Sequence, residues 1–429
     1  MGGASHPRDT PGMPSDTPAS PNDVAAARLL SARPRLVAVR PAGEVVPGLE
    51  PGLILHAAPP QAWEDMSELL RGGMIGAALN EGLAATPEEA ASAAAAGSIR
   101  FAAAQDHASM AGGVGSITAS TPVVVVEDAA TGARAFHPVM EGLEGKALVL
   151  GMYEPDVLTR LRWMAEELAP ALDRALQIVG GIDAHALMAE GLRRGDELHN
   201  RNAATSSLLA ELLAPGLAQA GLTPAAADRV FSFIATNPQF FVAVSLAACR
   251  LACDAADGVP GSSLVTACGA NGTEAGVRIS GVPGRWFTAP AEVPEGVLFD
   301  GFTAADAGRG CGDSLLIECY GLGATVLAAA PALWPVVGVG EARARELFAG
   351  ARQTALGEHA DYRVPLLDDA PAPAGVDARR VLETGRRPII DIVMVHRELG
   401  RGAVGFGLTS PPAACFEQAV AALDATAPD

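Results

Sequence analysis

From Glu154 to about Asp257 the chain carries no strand signal, and this stretch most constrains the fold. Leu158, Leu161, Met164, Leu168 and Leu172 recur at helical spacing, and helical patterns continue through Ala256. Thr223-Pro224 and Asn237-Pro238 read as helix starts, because proline tolerates the first helical turn. On both sides the pattern changes. RLVAVRP (35–41), GLILHAA (52–58) and VVVVED (123–128) read as short strands, and Ala85–Ala96 as a helix opened by Thr86-Pro87. After the helical stretch, SSLVTACG, GVRISG and RWFTAPA restore strand signals. Helices follow near Ser314–Ala329 and Glu341–Ala355, then the strand pair IIDIVMVHRE and GAVGFGLT, then an amphipathic helix over Ala414–Ala425. The polar, proline-rich Asp368–Asp377 reads as an exposed loop. The expected fold is α/β, with sheet-containing domains over 23–153 and 258–429 and an all-helical domain over 154–257.

Charge narrows the functions open to such a chain. Lys and Arg total 30 against 49 Asp and Glu, a net charge of -19, so phosphate backbones and anionic lipid are repelled. No nucleic acid and no membrane are expected as partners, and an anionic substrate needs a local pocket of Arg and backbone N–H groups. Residues 1–22 are rich in Pro, Ser, Gly and Asp with no apolar run, which predicts a disordered tail and no signal peptide. The uncharged stretch Gly321–Gly340 contains Pro331 and Pro335 and reads as a buried core helix followed by a strand, not a membrane span. Six cysteines without a C-x-x-C pair fit reduced, buried thiols in a cytoplasmic protein.

Only 18% of residues are charged, so dense polar clusters are informative. In GDELHNRN (195–202), helical spacing would put Asp196, His199 and Asn200 within one turn, with Asn202 three residues beyond His199. That supplies a general acid beside an orienting carboxylate, or merely a solvated helix end capped by Asp196. NGTEAGVR (271–278) offers Asn271, the hydroxyl of Thr273 and the fork of Arg278, although Asn-Gly is also a hairpin turn signal. QDHASMAGGVG (105–115) contains His107 and glycines 112, 113 and 115, whose N–H groups could face an anion. His56, Glu81, Glu141 and the GCGD run (310–313) with Glu318 are thinner candidates, and His137, His185 and His359 read as structural. No G-x-S-x-G elbow, H-E-x-x-H or dense ligand spacing occurs, so neither a serine hydrolase of that type nor a metal or other cofactor is expected.

The segments LHAAPPQAW, GGMIGAALNEG, RGDELHNRNAAT, LVTACGANGTEAGVRISG, WFTAPA and CGDSLLIECYGLG, in order from Asp23 to Ala425, resemble the YlbE-like (AllG-like) family. Ala58 stands where that family tends to have glycine, and Ala104-Gln105-Asp106-His107 replaces a Cys-His-Glu-His stretch, leaving His107 as its remaining histidine. The resemblance implies a subunit of the catabolic oxamate carbamoyltransferase, interconverting oxalurate plus phosphate with oxamate plus carbamoyl phosphate. It also implies FdrA-like and smaller partner subunits, with a carbamate kinase taking the product; a homo-oligomer is expected. For that reaction His199 is the expected acid, oriented by Asp196, with Arg201 and Arg278 on the carboxylate and phosphate. Asn200, Asn202, Asn271 and Thr273 would read the amides, and His107 with the N–H groups of Gly112 and Gly113 would complete the binding site. A non-catalytic scaffold subunit and an amidohydrolase-like enzyme using water are the alternatives.

Overall fold

The computed structural model describes residues 19–142 and 145–426, and it is a mixed α/β fold built on several small sheets. The largest N-terminal sheet orders its antiparallel strands as Arg134–Pro138, Pro122–Asp128, Pro34–Pro41 and Ile182–Asp183. Its last strand comes from the helical stretch, where Asp183 and Ile182 pair with Arg35 and Leu36. The β-branched run of Val123–Val126 is fully buried, as suits a strand covered on both faces. Strands Leu53–His56 and Arg100–Ala103 pair in parallel, which requires the crossover supplied by helices Glu68–Glu81 and Pro87–Ala95. Thr86 caps the second of these helices at the N–H of Glu89.

In the C-terminal part, Val265–Asn271 and Glu274–Ile279 lie centrally between Cys311–Gly312 and Phe287–Pro290. Ile390–Val395 pairs with Ala403–Thr409, which pairs in turn with Glu295–Leu298. Helix Val242–Ala255 buries 12 of its 14 residues. A helix apolar on all sides must be enclosed, and this one packs on strands of both large sheets and on helix Pro21–Ser31. One core thus joins Leu36 and Val124, Leu172 and Leu246, and Val265 and Phe416, from all three segments of the sequence. Trimming the fully buried Leu246 to alanine there would cost about 2–5 kcal/mol.

The elements depart from expectation in four places. Ser20 forms a capping box with Asp23 and opens helix Pro21–Ser31, so order begins inside the expected tail; residues 1–18 lie outside the described residues. Asn237 closes helix Pro224–Thr236 instead of starting one, its side chain accepting from the Gln239 N–H and donating to the Met140 carbonyl, and the next helix begins at Val242. The proline-rich loop is a strand, Ala370–Val376, paired with Ala355–Val364 and largely buried. Prolines are tolerated there because a two-stranded ribbon leaves one edge of each strand without ladder bonds. Gly321–Gly340 forms only short turns of 3-10 helix, Gly323–Ala329 and Pro331–Leu333, with no strand after them, because Gly and Pro interrupt any longer element. Among the described residues no helix is long and apolar enough to cross a membrane. All six cysteines are free and buried.

Candidate functional site

The GDELHNRN segment is a buried loop, not a helix. Helix Ala184–Arg193 ends just before it, and helix Ala203–Gln219 starts just after. The loop folds around the side chain of Glu197, whose carboxylate accepts N–H groups from His199 at 3.1 Å, from Arg201 at 3.0 Å and from Asn200. Leu198 adopts a left-handed conformation with φ 76°, a strain that persists only where surroundings enforce it. Asp196 points the other way and caps the following helix, accepting from Thr205 N–H at 2.7 Å, Thr205 Oγ1 at 3.0 Å and Ala204 N–H at 3.3 Å. Arg201 donates to the Gly195 carbonyl at 2.9 Å and lies 3.6 Å from Asp196. Asn202 donates to the His199 carbonyl at 2.6 Å. Asp196, Arg201 and Asn202 therefore hold the loop together, and the geometry does not give Asp196 the role of orienting His199.

That position belongs to Asp391, in strand Ile390–Val395. Its Oδ1 lies 3.4 Å from His199 Nδ1, while Asn200 donates to its Oδ2 at 3.0 Å and its carbonyl at 2.8 Å. Burial alone would raise the Asp391 carboxyl, but the hydrogen bond and charge of His199, then Asn200 and Glu197, hold it below the usual range. Burial and then the charge of Asp391 push both Glu197 and Glu318 well above the usual carboxylate range. Glu318 in turn accepts from Ala324 N–H, Thr325 N–H and Thr325 Oγ1 at 2.7, 2.7 and 2.6 Å. Three buried acids thus alternate in character, with an ionised aspartate between two glutamates that favour the protonated form. Among the described residues, Glu197, His199 and Asp391 are the group able to offer a metal one donor atom each, all within 4.8 Å of one another. The oxygens of Glu197 are already occupied by N–H groups, which favours the hydrogen-bonded arrangement over a cation.

His199 and Asn200 line a cavity of about 50 Å³ together with Gly112, Gly113, Gln239 and Ser314, closed by apolar side chains. With Nδ1 turned to Asp391, Nε2 is the ring nitrogen left for proton exchange. The glycine loop opposite is anchored by Asp313, which is fully buried and accepts from Ala111 N–H at 2.8 Å, Ala58 N–H at 2.8 Å and Gln105 Nε2 at 2.7 Å. Burial outweighs those bonds and pushes the Asp313 carboxyl up to about 7. Gly112 N–H donates to His137 Nε2 at 3.2 Å, Val114 N–H to Val149 and Gly115 N–H to Gly112. Among the described residues, Gly113 is the one position of this turn whose N–H has no partner. It sits at φ 56°, where a Cβ would run into the Val149 carbonyl.

Comparison with known proteins places this geometry in a family. A family profile described as "Oxamate carbamoyltransferase subunit AllG" matches residues 99–314. The chain is 39% identical over 373 residues to the oxamate carbamoyltransferase subunit AllG of Escherichia coli K12, covering 86% of this chain and 88% of that protein. The chain belongs to the AllG family. The uncharacterized protein YahG of the same organism is 38% identical over 376 residues, 88% of this chain and 79% of YahG. A crystal structure of a conserved protein of unknown function from Enterococcus faecalis V583 superposes with a TM-score of 0.92 at 36% identity, covering 95% of this chain and 97% of that one.

The residues matched by the AllG profile contribute His199, Asn200 and the glycine loop, while Asp391 and Glu318 lie beyond them. The other expected residues of this AllG-family chain lie elsewhere. Asn271 and Thr273 form a tight turn in which Asn271 Oδ1 accepts from Thr273 N–H, Thr273 Oγ1 and Glu274 N–H, and Asn271 Nδ2 donates to Pro59. Arg278 pairs with Asp106 at 2.9 Å and Asp257 at 3.2 Å and lies over Trp286. His107 Nδ1 lies 2.7 Å from the Pro47 carbonyl. None of these residues lines the His199 cavity. Sequence reading missed Asp391, whose one available signal was an acid inside the otherwise apolar strand IIDIVMV. It also passed over Gln239 and Glu197; Gln239 donates to the Asn200 carbonyl and fixes that side of the cavity.

Proposed function

We propose that this chain is a catalytic subunit of a multi-subunit carbamoyltransferase, interconverting oxalurate or a related ureido acid plus phosphate with oxamate plus carbamoyl phosphate. The observation that carries the reading is His199, on the cavity wall with a buried, ionised Asp391 behind it and the Gly113 N–H across from it. In the forward direction a phosphate oxygen attacks the ureido carbonyl, the C–N bond to the oxamate nitrogen breaks, and the proton of hydrogen phosphate ends on that nitrogen. His199 Nε2 can carry that proton while Asp391 holds the ring, and Gly113 N–H can meet the charge growing on the carbonyl oxygen. Asn200 and Gln239 supply amide groups suited to a carbamoyl –NH₂.

A cavity of about 50 Å³ suits a carbamoyl group but not a whole ureido acid with phosphate. No arginine or lysine lines it, so in this reading the phosphate and carboxylate are met by a partner subunit seated at its mouth. The E. coli AllG is named as a subunit, which fits a shared site. The test combines the purified chain, alone and with FdrA-like and smaller partner subunits, with oxalurate and phosphate, and couples carbamoyl phosphate to ATP through a carbamate kinase. Phosphate-dependent ATP that falls at least tenfold in His199→Ala supports the reading. No ATP in any combination of folded proteins sinks it, and turnover that continues without phosphate transfers the chemistry to water.

A further inference from the structure

The cavity at His199 lacks cationic side chains, yet three arginines converge on a different pocket. It measures about 190 Å³ and lies among helix Glu341–Thr354, the turn Gly385–Pro388 and the strand end Pro373–Val376. We propose that this pocket, walled by Arg343, Arg386 and Arg387, binds a small multivalent oxyanion, a phosphate-bearing or polycarboxylate metabolite. The inference does not rest on the carbamoyl-transfer reading, and the pocket lies outside residues 99–314.

In a chain of net charge -19, anions are disfavoured everywhere except where guanidinium groups outnumber acids locally. Arg343 Nη1 donates to Glu346 Oε2 at 2.8 Å and Arg386 Nη1 to Glu346 Oε1 at 3.3 Å, so one carboxylate is shared between two forks. A guanidinium carries five N–H donors, and most of both forks stays available to a ligand. Arg387 directs Nη1 to the Pro411 carbonyl at 3.0 Å and to Glu292 at 2.6 Å. Glu318, the other acid on the wall, spends its carboxyl on Ala324 and Thr325 and contributes no free acceptor edge. Thr354 and Ser410 add hydroxyls. Arginine forks match the planar oxygen pairs of phosphate and carboxylate, and the volume, against about 50 Å³ at His199, admits more than a single inorganic ion. Glu318 also sits in the field of Asp391, so occupancy here would be felt at the residue that holds His199.

The experiment is calorimetric titration of the full chain at fixed ionic strength with inorganic phosphate, pyrophosphate, citrate and, as a neutral control, acetamide. Saturable binding of at least one oxyanion and none of acetamide is expected. Arg343→Ala and Arg386→Ala should each weaken binding about tenfold or more, and Glu346→Gln should tighten it by removing the competing carboxylate. Preference for pyrophosphate assigns a phosphoryl ligand, and preference for citrate a polycarboxylate. These side chains are exposed, so the variants should melt with the parent protein. No saturable oxyanion binding up to about 10 mM, or binding that Arg386→Ala leaves unchanged, overturns the proposal.

Discussion

Replacing Asp391 by asparagine keeps the shape of the site and removes one buried charge. Two consequences follow from the geometry. Stability should change little, because the loss of a charge-assisted contact to His199, long at 3.4 Å, is offset by relief of repulsion on Glu197 and Glu318. The asparagine oxygen can still accept from Asn200, so the net change should stay within about 2 kcal/mol. Turnover should respond far more. Without its anionic partner the His199 ring loses its fixed tautomer and the support for its protonated form, and kcat should fall about 10²–10⁴-fold with KM nearly unchanged. The contrasting variant is Asp196→Ala. It leaves the Thr205 and Ala204 donors at the start of a buried helix unpaired and should cost about 2–4 kcal/mol, with a modest loss of turnover in the folded fraction. Urea unfolding and the coupled phosphorolysis assay with partner subunits read both quantities. Asp391→Asn turning over within threefold of the parent protein, while folded, would refute the assignment of Asp391 as the residue that positions His199.

Three further outcomes can be checked independently. Asp313→Ala strips three buried donors of their acceptor and should destabilise the chain by about 3–6 kcal/mol in urea titration, with Asp313→Asn losing less because one oxygen remains; equal stability of all three proteins would show that the carboxylate does not anchor the glycine loop. Gly113→Ala must move the Val149 carbonyl or leave φ 56°, so it should cost about 1–3 kcal/mol and reduce turnover more than any other single alanine in that turn; paired melting and turnover measurements across Gly112, Gly113 and Gly115 variants test the ranking. His137 is held neutral, mainly by burial, with its pKa lowered from 6.5 to about 4. A folded pKa below the unfolded one means that its contribution is full above pH 6.5 and is lost as pH falls toward 4. His137→Gln should therefore flatten the pH dependence of unfolding free energy between those limits, and an unchanged slope would contradict a neutral, buried imidazole.

Much of the architecture was legible in the chain because secondary structure is written locally. The valine run at 123–126, the helical leucines from 158 to 172 and the Thr86-Pro87 start each form the element their spacing predicts. Proline misled at Asn237-Pro238 and in Ala370–Val376, where the surrounding packing decides whether it starts, ends or edges an element. The family was readable for the same local reason, since contiguous blocks such as RGDELHNRNAAT carry it.

The site was only half legible. The sequence by itself singled out His199, Asn200 and the glycine loop, because polar residues in an apolar chain need a reason to be there. It could not say that Asp196 turns away to cap a helix, since a carboxylate next to a histidine in sequence serves either purpose. Nor could it bring in Asp391, 192 residues from His199. That pairing exists because helix Val242–Ala255 and the strands around it draw distant segments into one core. The tertiary structure alone fixes the distances and burial that turn a polar side chain into a cap, a turn or an acid.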